Sequence, residues 1–100
     1  MYKVGQKVRV KSWEQMEKEY GLTSYGSIKT PSSFTREMNC FCGMIFTIKN
    51  VRSDSFRVTY DLETNNKVLN NKIKYYYWDE EMFTSASLLA QIIQRRKTHV

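Results

Sequence analysis

The sequence predicts one small, mainly β domain with short helices, and three observations lead to that prediction. A length of 100 residues suffices for one hydrophobic core but not for two. With 41% hydrophobic and 26% charged residues, the composition is that of a globular chain rather than a disordered one. Several stretches alternate apolar with polar residues at the period of two that is typical of half-buried strands.

Four strands are predicted from this alternation. They lie within residues 3–12, 44–51, 55–62 and 72–80. In the third of them, the alternation places Phe56, Val58 and Tyr60 together on the buried face. A short turn over residues 80–83 closes the domain after the last strand.

The connection between the third and fourth strands contains two pairs of asparagines. Asparagine tolerates the left-handed backbone conformation that tight turns require. We therefore expect Asn65-Asn66 to turn a hairpin and Asn70-Asn71 to form a second bend.

Two short helices are predicted between the first and second strands. The first begins after Ser12, which is a favourable N-cap, and ends before Gly21. Its apolar residues are three and four positions apart, at Trp13, Met16 and Tyr20.

A polar loop over residues 22–33 separates the first helix from the second, which covers residues 34–41. Ser33 can cap the second helix and Gly43 can end it. The inner face of this helix is predicted to consist of Phe34, Met38 and Phe41 or Cys42.

The chain divides into a domain over residues 1–83 and a C-terminal region over residues 84–100. Apolar residues spaced three and four apart predict a helix in the C-terminal region, at Leu88, Leu89, Ile92 and Ile93. The same region holds Arg95, Arg96 and Lys97 and no acidic residue, so it supplies half of the net charge of +6. Such a basic amphipathic helix packs on its own domain more often than on a partner, and both arrangements stay open.

No catalytic, cofactor or metal motif is found in the sequence. Cys40 and Cys42 are one residue apart, a spacing that strains a disulfide, and His99 is the only histidine. The cysteines are therefore interpreted as reduced thiols. The acidic cluster Asp79-Glu80-Glu81 is typical of a solvated patch rather than of a general acid and base. We expect a protein that is not an enzyme and binds no cofactor or metal.

No apolar stretch approaches the roughly 20 residues that a membrane-spanning helix needs, and no signal peptide is recognised at the N-terminus. We therefore expect the protein in the cytoplasm, without a membrane partner.

Three motifs carry a resemblance to a known family. They are the opening KVGQKVRVKSWEQMEKEYG, the central FTREMNCFCGMIFTI and the closing YYYWDEEMF. Together they resemble a family of small proteins from bacteriophages and prophages of Firmicutes, over most of residues 3–83. The resemblance implies a small SH3-like β-barrel with a helical insertion after the first strand, in the cytoplasm of a bacterial host. It implies no activity, and the C-terminal amphipathic helix lies outside it.

The run Tyr75-Tyr76-Tyr77-Trp78 allows two interpretations, because a strand places successive side chains on opposite faces. In the first, Tyr75 and Tyr77 fill the core while Trp78 covers it together with Trp13 and Phe83. In the second, an aromatic face is exposed beside basic side chains. The candidate binding residues are then Trp13, Arg57, Lys72, Lys74, Tyr76, Trp78, Arg95, Arg96 and Lys97.

Exposed aromatic residues beside lysine and arginine suit two kinds of partner. Tyrosine, tryptophan and arginine are enriched at the centres of protein interfaces. Aromatic rings also stack on unpaired bases while cations neutralise phosphates. Since residues 1–83 carry only +3 and include an acidic first helix, we predict a non-enzymatic accessory module that binds a host or phage protein. Nucleic-acid binding is the alternative, and weak self-association through the C-terminal helix is compatible with either.

Overall fold

Four antiparallel strands form one sheet in the computed structural model, which describes residues 1–86. The strands are β1 (Lys7–Val10), β2 (Ile45–Ser53), β3 (Val58–Glu63) and β4 (Phe83–Ser85), and they lie in the order β3-β2-β1-β4. The predicted mainly β architecture with short helices is confirmed in this coarse form. Among the described residues, β3 and β4 are at opposite edges, so the sheet is open.

Two α-helices and two short 3₁₀ helices accompany the sheet. They are α1 (Trp13–Tyr20), a first 3₁₀ helix (Arg36–Phe41), α2 (Lys67–Ile73) and a second 3₁₀ helix (Glu80–Met82). The second 3₁₀ helix lies in the turn predicted over residues 80–83. The predicted C-terminal helix lies outside the described residues.

The predicted first helix is confirmed at both ends. The hydroxyl of Ser12 accepts a hydrogen bond from the Gln15 amide at 3.1 Å, which satisfies one of the free donors in the first turn. Gly21 ends the helix with a φ of 78°, in the left-handed region that glycine adopts without a steric penalty. Met16 is fully buried, so the apolar face of α1 packs on the core as its spacing predicts.

The predicted second helix is present, but the prediction of its cap was wrong. It is a 3₁₀ helix that begins after Thr35, whereas Ser33 has a φ of 61° and lies in the preceding turn. A residue in the left-handed region cannot also adopt the extended conformation that an N-cap requires. Met38 and Phe41 form its inner face as predicted, and Phe34 is buried too but lies before the helix begins.

The predicted hairpin at Asn65-Asn66 was wrong, because α2 begins there. The Oδ1 atom of Asn66 accepts hydrogen bonds from the amides of Val68 at 2.9 Å and Leu69 at 3.2 Å, and so caps this helix. Asn70 exchanges two hydrogen bonds of 2.8 Å with the backbone of Thr64, one as donor and one as acceptor. The asparagines therefore start and fix a helix instead of forming turns.

The strand predicted over residues 72–80 was also wrong. Residues 72 and 73 belong to α2, and a turn follows them. Only Trp78 pairs with the sheet, where its carbonyl oxygen accepts a hydrogen bond from the Tyr60 amide at 2.9 Å. The segment therefore crosses the outer edge of β3 and contacts it at a single bridge.

Trp78 lies at the centre of the hydrophobic core. Its ring contacts four phenylalanines, with centroids 5.7 to 6.4 Å away: Phe34, Phe41, Phe46 and Phe83. Its indole Nε1 donates a hydrogen bond to the Ile73 carbonyl at 3.1 Å, so the buried polar atom is satisfied. Two of these contacts, those with Phe34 and Phe41, are edge-to-face, an arrangement that the ring quadrupoles favour.

One extra residue interrupts the pairing of β2 with β3. Ile48 pairs with Leu62, but the next pair joins Asn50 to Asp61, so Lys49 has no direct partner and forms a β-bulge. Ile48 is buried and Val51 also packs against the core, although the two residues are three positions apart. The bulge therefore reverses the side-chain alternation in the second half of β2.

Candidate binding surface

The four consecutive aromatic residues separate into an inward and an outward pair. Trp78 is 1% exposed and Tyr76 is half-buried against the core, while Tyr75 and Tyr77 are 77% and 64% exposed. Both interpretations from the sequence are corrected by this finding. Tyr75 and Tyr77 do not fill the core, and Trp78 cannot present its ring to a partner. The exposed aromatic pair consists of Tyr75 and Tyr77 rather than of Tyr76 and Trp78.

Four side chains form a tyrosine–cation ridge next to the β2–β3 hairpin, defined as Arg57, Lys74, Tyr75 and Tyr77. The Arg57 guanidinium carbon lies 5.1 Å from the centroid of the Tyr77 ring. The Lys74 Nζ lies 5.5 Å from the centroid of the Tyr75 ring. Both distances fall within the range of cation–π contacts, so each exposed tyrosine is accompanied by a cation.

Phe56 precedes Arg57 in the sequence and is 96% exposed. It was predicted on the buried face of the third strand, which was wrong because it lies in the turn before β3 begins at Val58. The Oδ1 atom of Asp54 accepts hydrogen bonds from the amides of Phe56 at 2.8 Å and Arg57 at 2.9 Å. These two bonds lower the pKa of Asp54 below its ordinary value and order the turn that presents Phe56.

The position of Arg57 is set by residues distant in the sequence. Its Nη1 atom donates a hydrogen bond to the Ser32 hydroxyl at 3.0 Å. Ser32 in turn donates from its amide and from its hydroxyl to the carboxylate of Asp79, which is 1% exposed. The sequence analysis placed Asp79 in a solvated acidic patch, and that interpretation was wrong because Asp79 is buried. Asp79 holds the loop that contains Ser32, and Ser32 accepts the hydrogen bond from Arg57.

A polar groove adjoins the ridge between β3 and α2, with a volume of about 400 Å³. Side chains of both charges line it, including Lys49, Arg52, Asp61, Glu63, Asn70 and Lys74. A second depression of about 420 Å³ shares Arg52, Asp61 and Lys74 with it and extends to Tyr75 and Tyr77. The groove and the ridge are thus continuous.

The charges of this region are unequally compensated. In the groove, the Arg52 Nε and the Asp61 Oδ2 form an ion pair at 2.9 Å. By contrast, Arg57, Lys72 and Lys74 take part in no ion pair within residues 1–86. All three are exposed, so their charges are available to a partner.

The predicted binding residues are therefore only partly brought together. Arg57 and Lys74 belong to the ridge, and Lys72 lies nearby in the last turn of α2. Tyr76 is half-buried, and its hydroxyl lies 3.5 Å from Glu37 Oε2. Arg95, Arg96 and Lys97 lie outside the described residues.

Trp13 is separated from the ridge by its contacts. It is partly buried on α1, where its ring packs against Phe34 and lies 5.8 Å from the Arg36 guanidinium carbon. Neither neighbour belongs to the ridge. Trp13 thus serves the packing of α1 on the core.

The two cysteines are free thiols, with Cys40 exposed and Cys42 partly buried. Burial raises the pKa of Cys42 above its ordinary value, which reduces the thiolate fraction at neutral pH. Within residues 1–86, no three of the His, Cys, Asp and Glu side chains are close enough to hold a metal ion.

None of the helices over residues 1–86 has both the length and the apolar character that crossing a membrane requires.

Comparisons of the chain with profiles of protein families, with curated proteins and with solved structures gave no match. A proposal about function therefore depends on the ridge, the groove and the three sequence motifs.

Proposed function

We propose that this chain is a non-enzymatic binding module that engages a protein partner through the tyrosine–cation ridge. The observation that carries the proposal is the exposure of Tyr75 and Tyr77, each with a cation over its ring. Large exposed aromatic side chains grouped on one face mark interaction sites, because their hydration is unfavourable in the isolated protein. Tyrosine and arginine are also among the residue types that contribute most to protein interfaces.

The groove beside the ridge favours a protein over a nucleic acid. Asp61 and Glu63 present carboxylates there, and Asp61 already neutralises Arg52. A phosphate backbone that followed this groove would meet negative charge, whereas single-strand binders line the track with cations. A protein segment can instead pair with groups of both signs and with the amide of Asn70.

The absence of catalysis is part of the proposal. It is supported by the sequence, in which His99 is the only histidine and no nucleophile lies in a recognised motif. The motifs shared with phage and prophage proteins of Firmicutes support an accessory role in the cytoplasm of a bacterial host, with a host or phage protein as the partner.

We also propose that the open sheet belongs to an SH3-like barrel. Three features support this: the strand order β3-β2-β1-β4, the bridge from Tyr60 to Trp78 at the outer edge of β3, and the 3₁₀ helix (Glu80–Met82) directly before β4. An experimental structure tests the proposal. A ladder of residues 76–78 along β3 would support the barrel, and an edge of β3 covered by another element would contradict it.

The binding proposal is tested by photo-crosslinking followed by reconstitution. Benzoylphenylalanine is placed at Tyr75 and, as the control, at Tyr25, which is 94% exposed and outside the ridge. After irradiation in a lysate of a Firmicutes host, we expect protein adducts from position 75 that position 25 does not give. The crosslinked protein is then identified by mass spectrometry and purified.

Binding of the purified partner is measured calorimetrically for the unmodified chain, for the double variant Tyr75→Ala/Tyr77→Ala and for Tyr25→Ala. We expect the double variant to bind about tenfold more weakly or worse, a loss typical of interface centres. Equal affinities of all three would contradict the proposal. Adducts to nucleic acid in place of protein would favour the alternative function.

A further inference from the structure

The cations of the ridge form no ion pair with the described part of the molecule. Arg57 and Lys74 are exposed and take part in no ion pair within residues 1–86, and Lys72 shares both properties. The Asp54 carboxylate accepts two backbone hydrogen bonds from the turn and attracts Arg57 electrostatically, but it forms no ion pair with the guanidinium. Because interfaces match charge with opposite charge, this side of the ridge suits a partner that presents carboxylates.

The ridge also presents large exposed apolar surface. Tyr75 and Tyr77 are 77% and 64% exposed, and Phe56, which precedes Arg57 in the sequence, is 96% exposed. Burying such rings against apolar side chains of a partner removes them from water and favours the complex. Carboxylates alone would leave these rings hydrated, so the partner must also supply apolar side chains.

The geometry of Arg57 joins the two requirements. Its guanidinium lies over the Tyr77 ring while one nitrogen donates to Ser32. A guanidinium has five N–H donors, so others are left for an incoming carboxylate while the tyrosine ring contacts the neighbouring apolar side chain. Acidic and apolar groups are thus needed close together in the partner.

We propose, on the basis of the proposed function, that the ridge recognises an acidic protein segment in which carboxylates are interspersed with aromatic or large aliphatic side chains. Arg57 and Lys74 pair with the carboxylates. Tyr75 and Tyr77 pack on the apolar side chains, and the groove binds polar groups of the partner that flank the segment.

Fluorescein-labelled peptides test this inference by fluorescence anisotropy with the full chain. The probe peptide contains three repeats of Gly-Glu-Phe-Glu. Two matched peptides change one property each: repeats of Gly-Glu-Ser-Glu remove the apolar side chains, and repeats of Gly-Lys-Phe-Lys reverse the charge. A labelled thymidine oligonucleotide of similar length is the nucleic-acid probe.

We expect the Glu-Phe peptide to bind about tenfold more tightly than either matched peptide, since each of these lacks one of the two interactions. Arg57→Gln and Tyr77→Ala should each weaken binding about threefold or more. Lys18→Gln on α1 and Tyr25→Ala, both at exposed positions outside the ridge, should leave it unchanged. Circular dichroism confirms that each variant is folded, and Lys74→Gln gives a second test of the cations.

Equal binding of the Glu-Phe and Glu-Ser peptides, or binding insensitive to both ridge variants, would overturn the inference. The proposed function would survive that result if position 75 still crosslinked to a protein. Tighter binding of the oligonucleotide that is lost in Tyr77→Ala would overturn the inference and the proposed function together.

Discussion

The buried carboxylate of Asp79 accepts two hydrogen bonds from Ser32, at 2.6 Å from the amide nitrogen and 2.8 Å from the hydroxyl oxygen, across 47 residues of sequence. This contact holds the loop before the first 3₁₀ helix against the segment that leads to β4. Hydrogen bonds to a buried charged group contribute more to stability than neutral ones, and a partner left unpaired adds a further cost.

We predict that Asp79→Ala lowers the free energy of unfolding by about 2–3 kcal/mol, because the Ser32 amide and hydroxyl lose their acceptor. Urea denaturation measures this change. The matched control is Glu80→Gln, which removes only an exposed ion pair with the N-terminal amine and should cost less than about 1 kcal/mol. Equal losses for the two variants would show that the contact with Ser32 is not significant for stability.

Trp78 is predicted to determine stability rather than binding. Trp78→Ala removes a buried ring and should lower the free energy of unfolding by about 3–5 kcal/mol, a large part of the stability of a small domain. Tyr77→Ala, one residue away and exposed, should change it by no more than about 0.5 kcal/mol. Thermal denaturation of the two variants distinguishes them, and a reversed order would contradict the inward position of Trp78.

Two adjacent asparagines provide a matched pair for testing α2. Asn66→Ala removes the helix cap and should lower the free energy of unfolding by about 0.5–2 kcal/mol. Asn65→Ala changes an exposed residue of the same type that caps nothing, so we expect almost no effect. If residues 65 and 66 formed a hairpin turn instead, both substitutions would destabilise the chain in chemical denaturation.

Stability should decrease in alkaline solution because of Tyr60. Burial raises the pKa of this tyrosine above its ordinary value, so the folded chain holds the phenolic proton more tightly than the unfolded chain does. The resulting stabilisation is complete below about pH 9 and is lost as the pH rises through about 10 and then through the folded pKa. Urea midpoints measured across this range should fall less steeply for Tyr60→Phe.

The urea midpoint of Tyr60→Phe should still fall as the pH rises, because burial also raises the pKa of Tyr2 and of Tyr76. An unchanged slope in Tyr60→Phe would show that Tyr60 does not contribute to the alkaline loss of stability.

Local signals in the sequence were sufficient for the elements that begin at clear caps or alternate regularly. Ser12 and Gly21 define α1, and the valines of β1 lie on its buried face at positions 8 and 10. Val4 continues the same alternation but is 64% exposed, because β1 begins only at Lys7. The pattern of alternation indicates a strand but not the residue at which pairing starts.

The error over residues 64–78 has a single physical cause. Asn66 can form a turn or cap a helix, and the choice depends on whether the next residues can pack as a helix. Leu69 and Ile73, four residues apart, pack on the core and complete a helical turn after the cap. Once the segment is helical, the chain reaches the aromatic run from a turn rather than along a strand, and Trp78 instead of Tyr77 faces inward.

The sequence predicted which types of side chain form the binding surface, aromatic and basic, but not which aromatic residues are exposed there. The sequence predicted an aromatic face beside Arg57 and Lys74, but with Tyr76 and Trp78 in place of Tyr75 and Tyr77. The role of Asp79 depends on a contact between distant segments. Asp79 follows Trp78 and precedes two glutamates. Its neighbours in the sequence therefore give no indication that it is buried or that Ser32 donates hydrogen bonds to it.

The bulge at Lys49 makes the register of β2 as important as its composition. Beyond it, Val51 packs on the core while Asn50 and Arg52 share a face with Asp61. If Lys49 instead paired with Asp61 in a regular ladder, the alternation would turn Val51 to the solvent and direct Arg52 into the core. Deletion of Lys49 alone would keep Val51 opposite Tyr60 and Arg52 opposite Thr59, whereas one residue lost between Asn50 and Ser53 would exchange the buried and exposed faces beyond it.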